Sequence, residues 1–101
     1  QMIACMVSGR LKEKAKWHFK MPRVTTITTA TMIATDAANR ATQVLIETTD
    51  DDIGRTLRKL DAGAILTVTG EVALQPTGKV IMRPRRVTLL DALETASVTA
   101  A

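Results

Sequence analysis

Residues 64–74, AILTVTGEVAL, leave the backbone one regular conformation. Ala64, Leu66, Val68, Gly70, Val72 and Leu74 take one set of alternate positions, while Thr67, Thr69, Glu71 and Gln75 take the other. Successive side chains of a strand point to opposite faces, so a period of two builds one apolar and one polar surface. Much of the chain shares this texture. Its sixteen threonines mostly stand in runs with valine and isoleucine, whose branched Cβ suits a pleated surface. A first strand is expected over about Met2 to Lys12, with Ile3, Cys5, Val7 and Leu11 on one face and Gly9 inside. VTTITTATMIAT (24–35) gives a second, after a break at Met21-Pro22-Arg23, where proline offers no ladder donor. RATQVLIET (40–48) gives a third after the turn residues Asp36-Ala37-Ala38-Asn39, with Val44 and Ile46 opposite Leu45.

One segment breaks the pattern. Thr49-Asp50-Asp51-Asp52 supplies an N-cap and negative charge where a helix start favours them. Ile53, Leu57 and Leu60 follow at helical spacing, Arg58 and Lys59 fall in the last turn, and Asp61-Ala62-Gly63 ends it. This predicts a helix of about three turns. After AILTVTGEVAL, a turn at Gln75-Pro76-Thr77-Gly78 leads into a fifth strand, KVIMRPRRVTLLD (79–91), which Pro84 confines to an edge or a kink. The order is therefore β-β-β-α-β-β: an all-β domain with one short helix. A five-stranded oligonucleotide/oligosaccharide-binding (OB) barrel has this order, with Gly9 and Gly70 letting long strands bend to close it. An open α+β sheet is also compatible. Residues 2–91 are expected to form the single domain and 92–101 a frayed tail.

Charge is unevenly spread. Arg10, Lys12, Lys14, Lys16, Lys20 and Arg23 face Glu13 alone within 1–23, a net +5. Lys79, Arg83, Arg85 and Arg86 meet no acid within 78–86, whereas 36–61 carries −2. Such separation sets up a field that steers anionic partners, although lysine is also a common filler of solvated strand faces. Trp17 and Phe19, all the aromatics the chain has, lie inside the first basic stretch, KAKWHFKM. If 14–21 is extended, period two forbids lysines and aromatics from sharing a face, and Trp17 and Phe19 then point with Ala15 and Met21 toward core or a partner subunit. A loop would let both kinds meet one ligand. Arg83, Arg85 and Arg86 straddle Pro84, so a kink there turns them to one surface or leaves them guarding an edge strand.

Several pieces together resemble the bacterial single-stranded DNA-binding protein family. VSGRL (7–11) is similar to its first strand, and WHFKMPRVTTITTAT (17–31) to its aromatic–x–Pro turn and Thr/Ala-rich second strand. LRKLDAGAILTVTGEVAL (57–74) resembles its helix end, glycine turn and fourth strand, and RRVTLLD (85–91) its closing strand. The set runs in order over about 2–91, and the related primosomal replication protein B is about as similar. The resemblance implies an OB fold, single-stranded DNA as partner with RNA as an alternative, a homodimer or homotetramer, and a setting in replication, recombination or repair. On that reading the two acid-poor basic stretches are expected to hold the strand through Arg10, Lys12, Lys14, Lys16, Lys20, Arg23, Lys79, Arg83, Arg85 and Arg86, with Trp17 and Phe19 available to stack. The family's stacking aromatics on the third strand and the long hairpin are replaced here by Arg40, Gln43, Ile46 and a short Pro76-Thr77-Gly78-Lys79 turn. The family's acidic tip has no counterpart in Ser97–Ala101, so no recruitment through an acidic tail is expected. These departures keep a second class open, a protein-interaction or assembly module of replication with weak or no DNA binding.

The remaining chemistry is sparse. No nucleophile–base set or phosphate-loop glycine pattern is present, so neither enzyme activity nor a cofactor is expected. Cys5 reads as a buried core thiol in a reducing compartment, His18 as solvated, and Met2, Met6, Met21, Met32 and Met82 as core filling. Asp50, Asp51 and Asp52 fit a helix start without a metal. No apolar run approaches the roughly 20 residues that cross a bilayer, and the apolar start lacks a basic leader. No signal peptide is expected, Met2 is the expected native start, and the cytoplasm is the expected compartment.

Overall fold

The computed structural model describes residues 2–22, 24–35 and 38–90. Six strands and one helix follow in the order β1 (Met2–Leu11), β2 (Lys16–Lys20), β3 (Thr25–Thr35), β4 (Ala41–Thr48), α1 (Asp51–Lys59), β5 (Ile65–Leu74) and β6 (Val80–Leu89). The sheet runs β1-β5-β6-β4-β3-β2, and a further pairing of β1 with β3 closes it. The closed cylinder contains β1, β5, β6, β4 and β3, the five-stranded OB barrel expected from the element order. Its sixth strand, β2, pairs with the N-terminal part of β3 from Lys16↔Thr29 to Lys20↔Thr25. The closing contact is the antiparallel pair Arg10↔Ile33 and Leu11↔Met32.

Closure depends on two places without a Cβ. At Gly9, a Cβ would fall on the Ile33 carbonyl oxygen and 2.9 Å from Met32 Cγ, where β1 crosses β3. At Gly70, it would strike the Arg83 carbonyl and lie 2.9 Å from Pro84 Cα. Only glycine lets two backbones approach this closely. The β5–β6 register shifts at the same place, so that Thr69 opposes Arg86 while Gly70 opposes Pro84. Arg85 is the extra residue of this bulge. β6 pairs in parallel with β4 only over Val80–Met82. Pro84 therefore stands where that side of the strand has no ladder to join, and it is both at an edge and at a kink.

The barrel is filled by Leu11, Ala30, Met32, Val44, Ile46, Leu66, Val68, Val72 and Met82, with Leu57 and Leu60 entering from the helix end. The sequence alternation predicts most of this set correctly. Asp50 caps α1, its carboxylate accepting from Ile53 N at 2.9 Å, and Lys59 and Arg58 occupy the last turn. At nine residues the helix is slightly shorter than expected. It packs on β3 and β6 and so covers one end of the cylinder. Asn39 takes a left-handed φ of 63°, in keeping with the turn expected before β4.

Several apolar side chains depart from expectation. Met32 and Met82 are fully buried, but Met6 is 71% and Met21 70% exposed. Met6 has the outward parity of β1, and Met21 lies in the turn beyond β2, so neither can reach the core. Ile3 and Leu74 have inward parity yet stay 54% and 64% exposed, because they lie near the strand ends beyond the filled barrel. Cys5, opposite Gly70, is half-buried against the core rather than enclosed. Among the described residues, no helix is long and apolar enough to cross a membrane. Arg23 and the 92–101 tail lie outside the described residues.

The two close approaches make a stability prediction. Gly9→Ala and Gly70→Ala should each cost about 1–3 kcal/mol, since the new methyl meets backbone that cannot swing away. Met6→Ala should cost little, because the side chain is mostly in water already. Urea unfolding midpoints at constant m-value measure all three.

Candidate nucleic-acid interface

On β3 and β4 the inward positions, Thr28, Ala30, Met32, Val44 and Ile46, are buried, which turns Thr29, Thr31, Ile33, Gln43, Leu45 and Glu47 outward. The basic side chains gather around this outer wall. Lys16 and Lys20 lie on the outward face of β2 opposite Thr29 and Thr25, with the exposed His18 between them. Arg10 is opposite Ile33 at the far end of β3, and the Lys12 amide donates to Thr31 O at 2.8 Å. Lys79, in the β5–β6 turn, lines a depression with Thr31, Gln43, Leu45 and Val80. Arg83 lines another with Glu47, Thr48, Thr49 and Pro84, in the gap where β6 leaves β4.

These neighbours join the two basic stretches. Lys16 opposes Thr29, and Thr29 opposes Glu47. Glu47 shares its depression with Arg83, and Arg83 opposes Glu71 on β5. One row thus crosses the wall from the first basic group to the second, with Glu47 in its path. The rest of the second group lies farther round. Arg86 is opposite Thr69, and Arg85 binds Glu71 Oε1 at 2.8 Å.

The cations are not equally available. Lys14 Nζ lies 3.6 Å from Asp61 Oδ1 and donates to Leu60 O at 3.4 Å, holding it at the end of the helix. Lys16 is 3.9 Å from Glu13 Oε1. Both pairs are exposed and of the kind worth at most about 1 kcal/mol. Among the described residues, Arg10, Lys12, Lys20, Lys79, Arg83 and Arg86 have no carboxylate within ion-pair distance. Asp52 pairs with Arg55 at 2.9 Å in the first helical turn.

Residues 16–20 are a strand, so their alternation holds. Trp17 and Phe19 oppose Thr28 and Thr26 and stand on the inward side of the ladder, away from the lysines. They are not enclosed there. β2 extends past the filled barrel, and the rings stay 52% and 56% exposed, edge to face with centroids 5.1 Å apart. Arg58 of α1 lines the same depression, and its Nη1 donates to Thr28 Oγ1 at 3.0 Å.

Glu47 and Arg58 are the residues sequence reasoning missed here. The outward parity of Glu47 is readable beside Val44 and Ile46, but its neighbours depend on register with distant strands. Arg58 carried a faint signal. Gly54 inside a helix marks a close approach, here to Thr28, and Arg58 lies one turn later on the same side.

No protein-family model matches the chain, and no curated protein matches it significantly in sequence. Solved structures do resemble it. The mitochondrial single-stranded DNA binding protein of S. cerevisiae superposes with a TM-score of 0.75 at 12% identity, over 89% of this chain and 95% of that one. The second single-stranded DNA binding protein of Mycobacterium smegmatis gives 0.73 at 12% identity, over 92% and 93%. A deletion mutant of the single-stranded DNA binding protein of Thermus aquaticus gives 0.68 at 13% identity over 83% of this chain, which spans only 38% of that one. At such identities the likeness is one of architecture: the chain has the OB fold found in these single-stranded DNA binding proteins.

Proposed function

We propose that this chain binds single-stranded DNA along the outer wall of β3 and β4, acting by binding alone, without catalysis, in the cytoplasm. Arg10, Lys12, Lys16, Lys20, Lys79 and Arg83 hold the phosphates, and Lys14, Arg85 and Arg86 add to the surrounding positive field. The observation that carries this reading is the row Lys16–Thr29–Glu47–Arg83, through which both basic stretches border one wall. The single-stranded DNA binding proteins that share its architecture support the same choice of polymer. The wall is rich in threonine and has no aromatic ring, so stacking there, worth about 1–3 kcal/mol per base, is missing. Phosphate contacts then dominate, and affinity follows counterion release.

Titration of fluorescent oligo(dT) should show saturable binding at low salt, with log K falling at a slope of about −4 for six phosphate contacts. The double variant Lys16→Glu/Lys20→Glu should weaken binding by about tenfold or more. Competition with RNA reports which polymer is preferred. Absence of saturable binding at low salt would remove this reading.

Glu47 opposes the phosphates it lies among. Glu47→Gln should tighten oligo(dT) binding a few-fold, an effect that fades with salt as screening shortens the reach of the charge. The same titration at two ionic strengths measures it.

A second reading, a protein-assembly module with little DNA binding, is favoured by the exposed Ile3, Met6 and Leu74 on β1 and β5. Both readings include a second copy. On the side away from β5, β1 is paired only at Arg10 and Leu11 among the described residues, so most of its length is an open edge beside Ile3 and Met6. Such an edge is a template for another chain. Light scattering should report a dimer or tetramer, and Ile3→Lys/Met6→Lys should shift it toward monomer; a wild-type monomer at all concentrations would exclude self-association.

A further inference from the structure

The two faces of β2 have opposite chemistry. Lys16 and Lys20 look out over the wall of β3, while Trp17 and Phe19 look toward the helix end, beside Arg58 and Thr26. β2 ends the sheet order, and among the described residues its edge away from β3 carries no strand. Among the described residues, no strand on that side separates the lysine face from the aromatic face.

We infer that Trp17, Phe19 and Arg58 form a nucleobase-and-phosphate pocket, and that a single strand held on the lysine face turns over the free edge of β2 to place one base there. This rests on the proposed single-strand binding and extends it to a second surface. Three features carry it. The rings pack edge to face rather than stacked, so ring surface remains open, and each is about half exposed. Arg58 is held in place by its bond to the hydroxyl of Thr28, which is 1% exposed. The guanidinium is thus positioned in the depression rather than sweeping through solvent. An aromatic surface beside a fixed cation suits a stacked base with its attached phosphate, and it suits a neutral apolar partner poorly, since such a partner would desolvate the cation. A single strand can make the turn because its unpaired bases splay away from the backbone.

Trp17 is the sole tryptophan, so its emission reports on this pocket alone. The test follows oligo(dT) binding to the full chain in parallel by label anisotropy and by Trp17 emission. Emission should be quenched with the same saturation curve as the anisotropy. Trp17→Leu should weaken binding about tenfold with little change in salt slope, because it removes a stack and not a phosphate contact. Arg58→Gln should lower the salt slope by about 0.7, as the loss of one phosphate contact requires. Thermal melting of each variant checks that it is folded, and the wild-type quench stands without any variant. Saturating anisotropy with unchanged Trp17 emission would overturn the pocket and leave the proposed function intact. So would Trp17→Leu binding as tightly as wild type. Quenching that follows protein concentration without DNA would assign the rings to contact with a second copy and would also overturn it. No binding by anisotropy at low salt would remove the proposed function, and the pocket with it.

Discussion

The arrangement of this molecule depends on how closely β1 passes over β3. At Gly9 the crossing leaves no room for a side chain, and two residue pairs beyond it, Arg10 with Ile33 and Leu11 with Met32, turn an open ladder into a cylinder. Gly70 against Pro84 makes the matching concession on the other wall, where a bulge redirects β6. Once closed, the inside is fully committed to Met32, Ile46, Leu66, Val68 and Met82, each without exposed surface. Close packing of this kind leaves no room for a charged side chain, and the buried polar Thr28 has its hydroxyl satisfied by Arg58. Charged residues on the barrel strands therefore have only the outer surface available.

That constraint turns scattered basic residues into a surface with a geometry. Separate stretches near the two ends of the described chain meet at β3 and β4, because β2 extends β3 on one side and β6 leaves β4 on the other. The Debye length at physiological salt is about 8 Å. Charges on such a wall consequently act most strongly on groups within about that distance of them. Glu47 between Lys16 and Arg83 breaks the row into two short cationic segments, and Glu71 occupies Arg85. A ligand that touches the wall at several separated points suits this pattern better than a compact polyanion. The open hydroxyls of Thr29 and Thr31 add hydrogen-bonding capacity without flat surfaces for bases. The two aromatic rings are on the other side of β2, where the ladder ends and the core no longer covers what faces inward.

Legibility in the sequence differed from element to element for physical reasons. Leu66, Val68, Val72, Val44 and Ile46 were readable as core because alternation is a property of a strand itself. The helix start at Asp50 was readable because a cap acts within three residues. The two-faced character of KWHFK was readable as soon as it was taken as extended. Misreadings concern burial rather than conformation. Met6 and Met21 are apolar and exposed, and Ile3 and Leu74 have the right parity but lie near strand ends where the barrel interior has run out. Parity says which way a side chain points and not whether anything is there to receive it. Of the candidate wall, the sequence shows the basic residues but neither the position of Glu47 among them nor the place of Arg58 beside Trp17, which spacing does not carry.

The sequence left open whether 16–20 is a strand, but by itself it determined the order of the five barrel strands and the helix, the inward face of cleanly alternating strands such as β5, and the two glycines at which backbones approach. All of these follow from backbone geometry over a few neighbouring residues. The tertiary structure alone decided register: that Lys16 stands in line with Glu47, that Arg83 closes the same row, that Lys14 is held at a helix end, and that the aromatics overhang the core beside Arg58. Register is set by contacts between residues far apart in the chain, through closure of the cylinder and the bulge at Gly70. No local pattern carries that information.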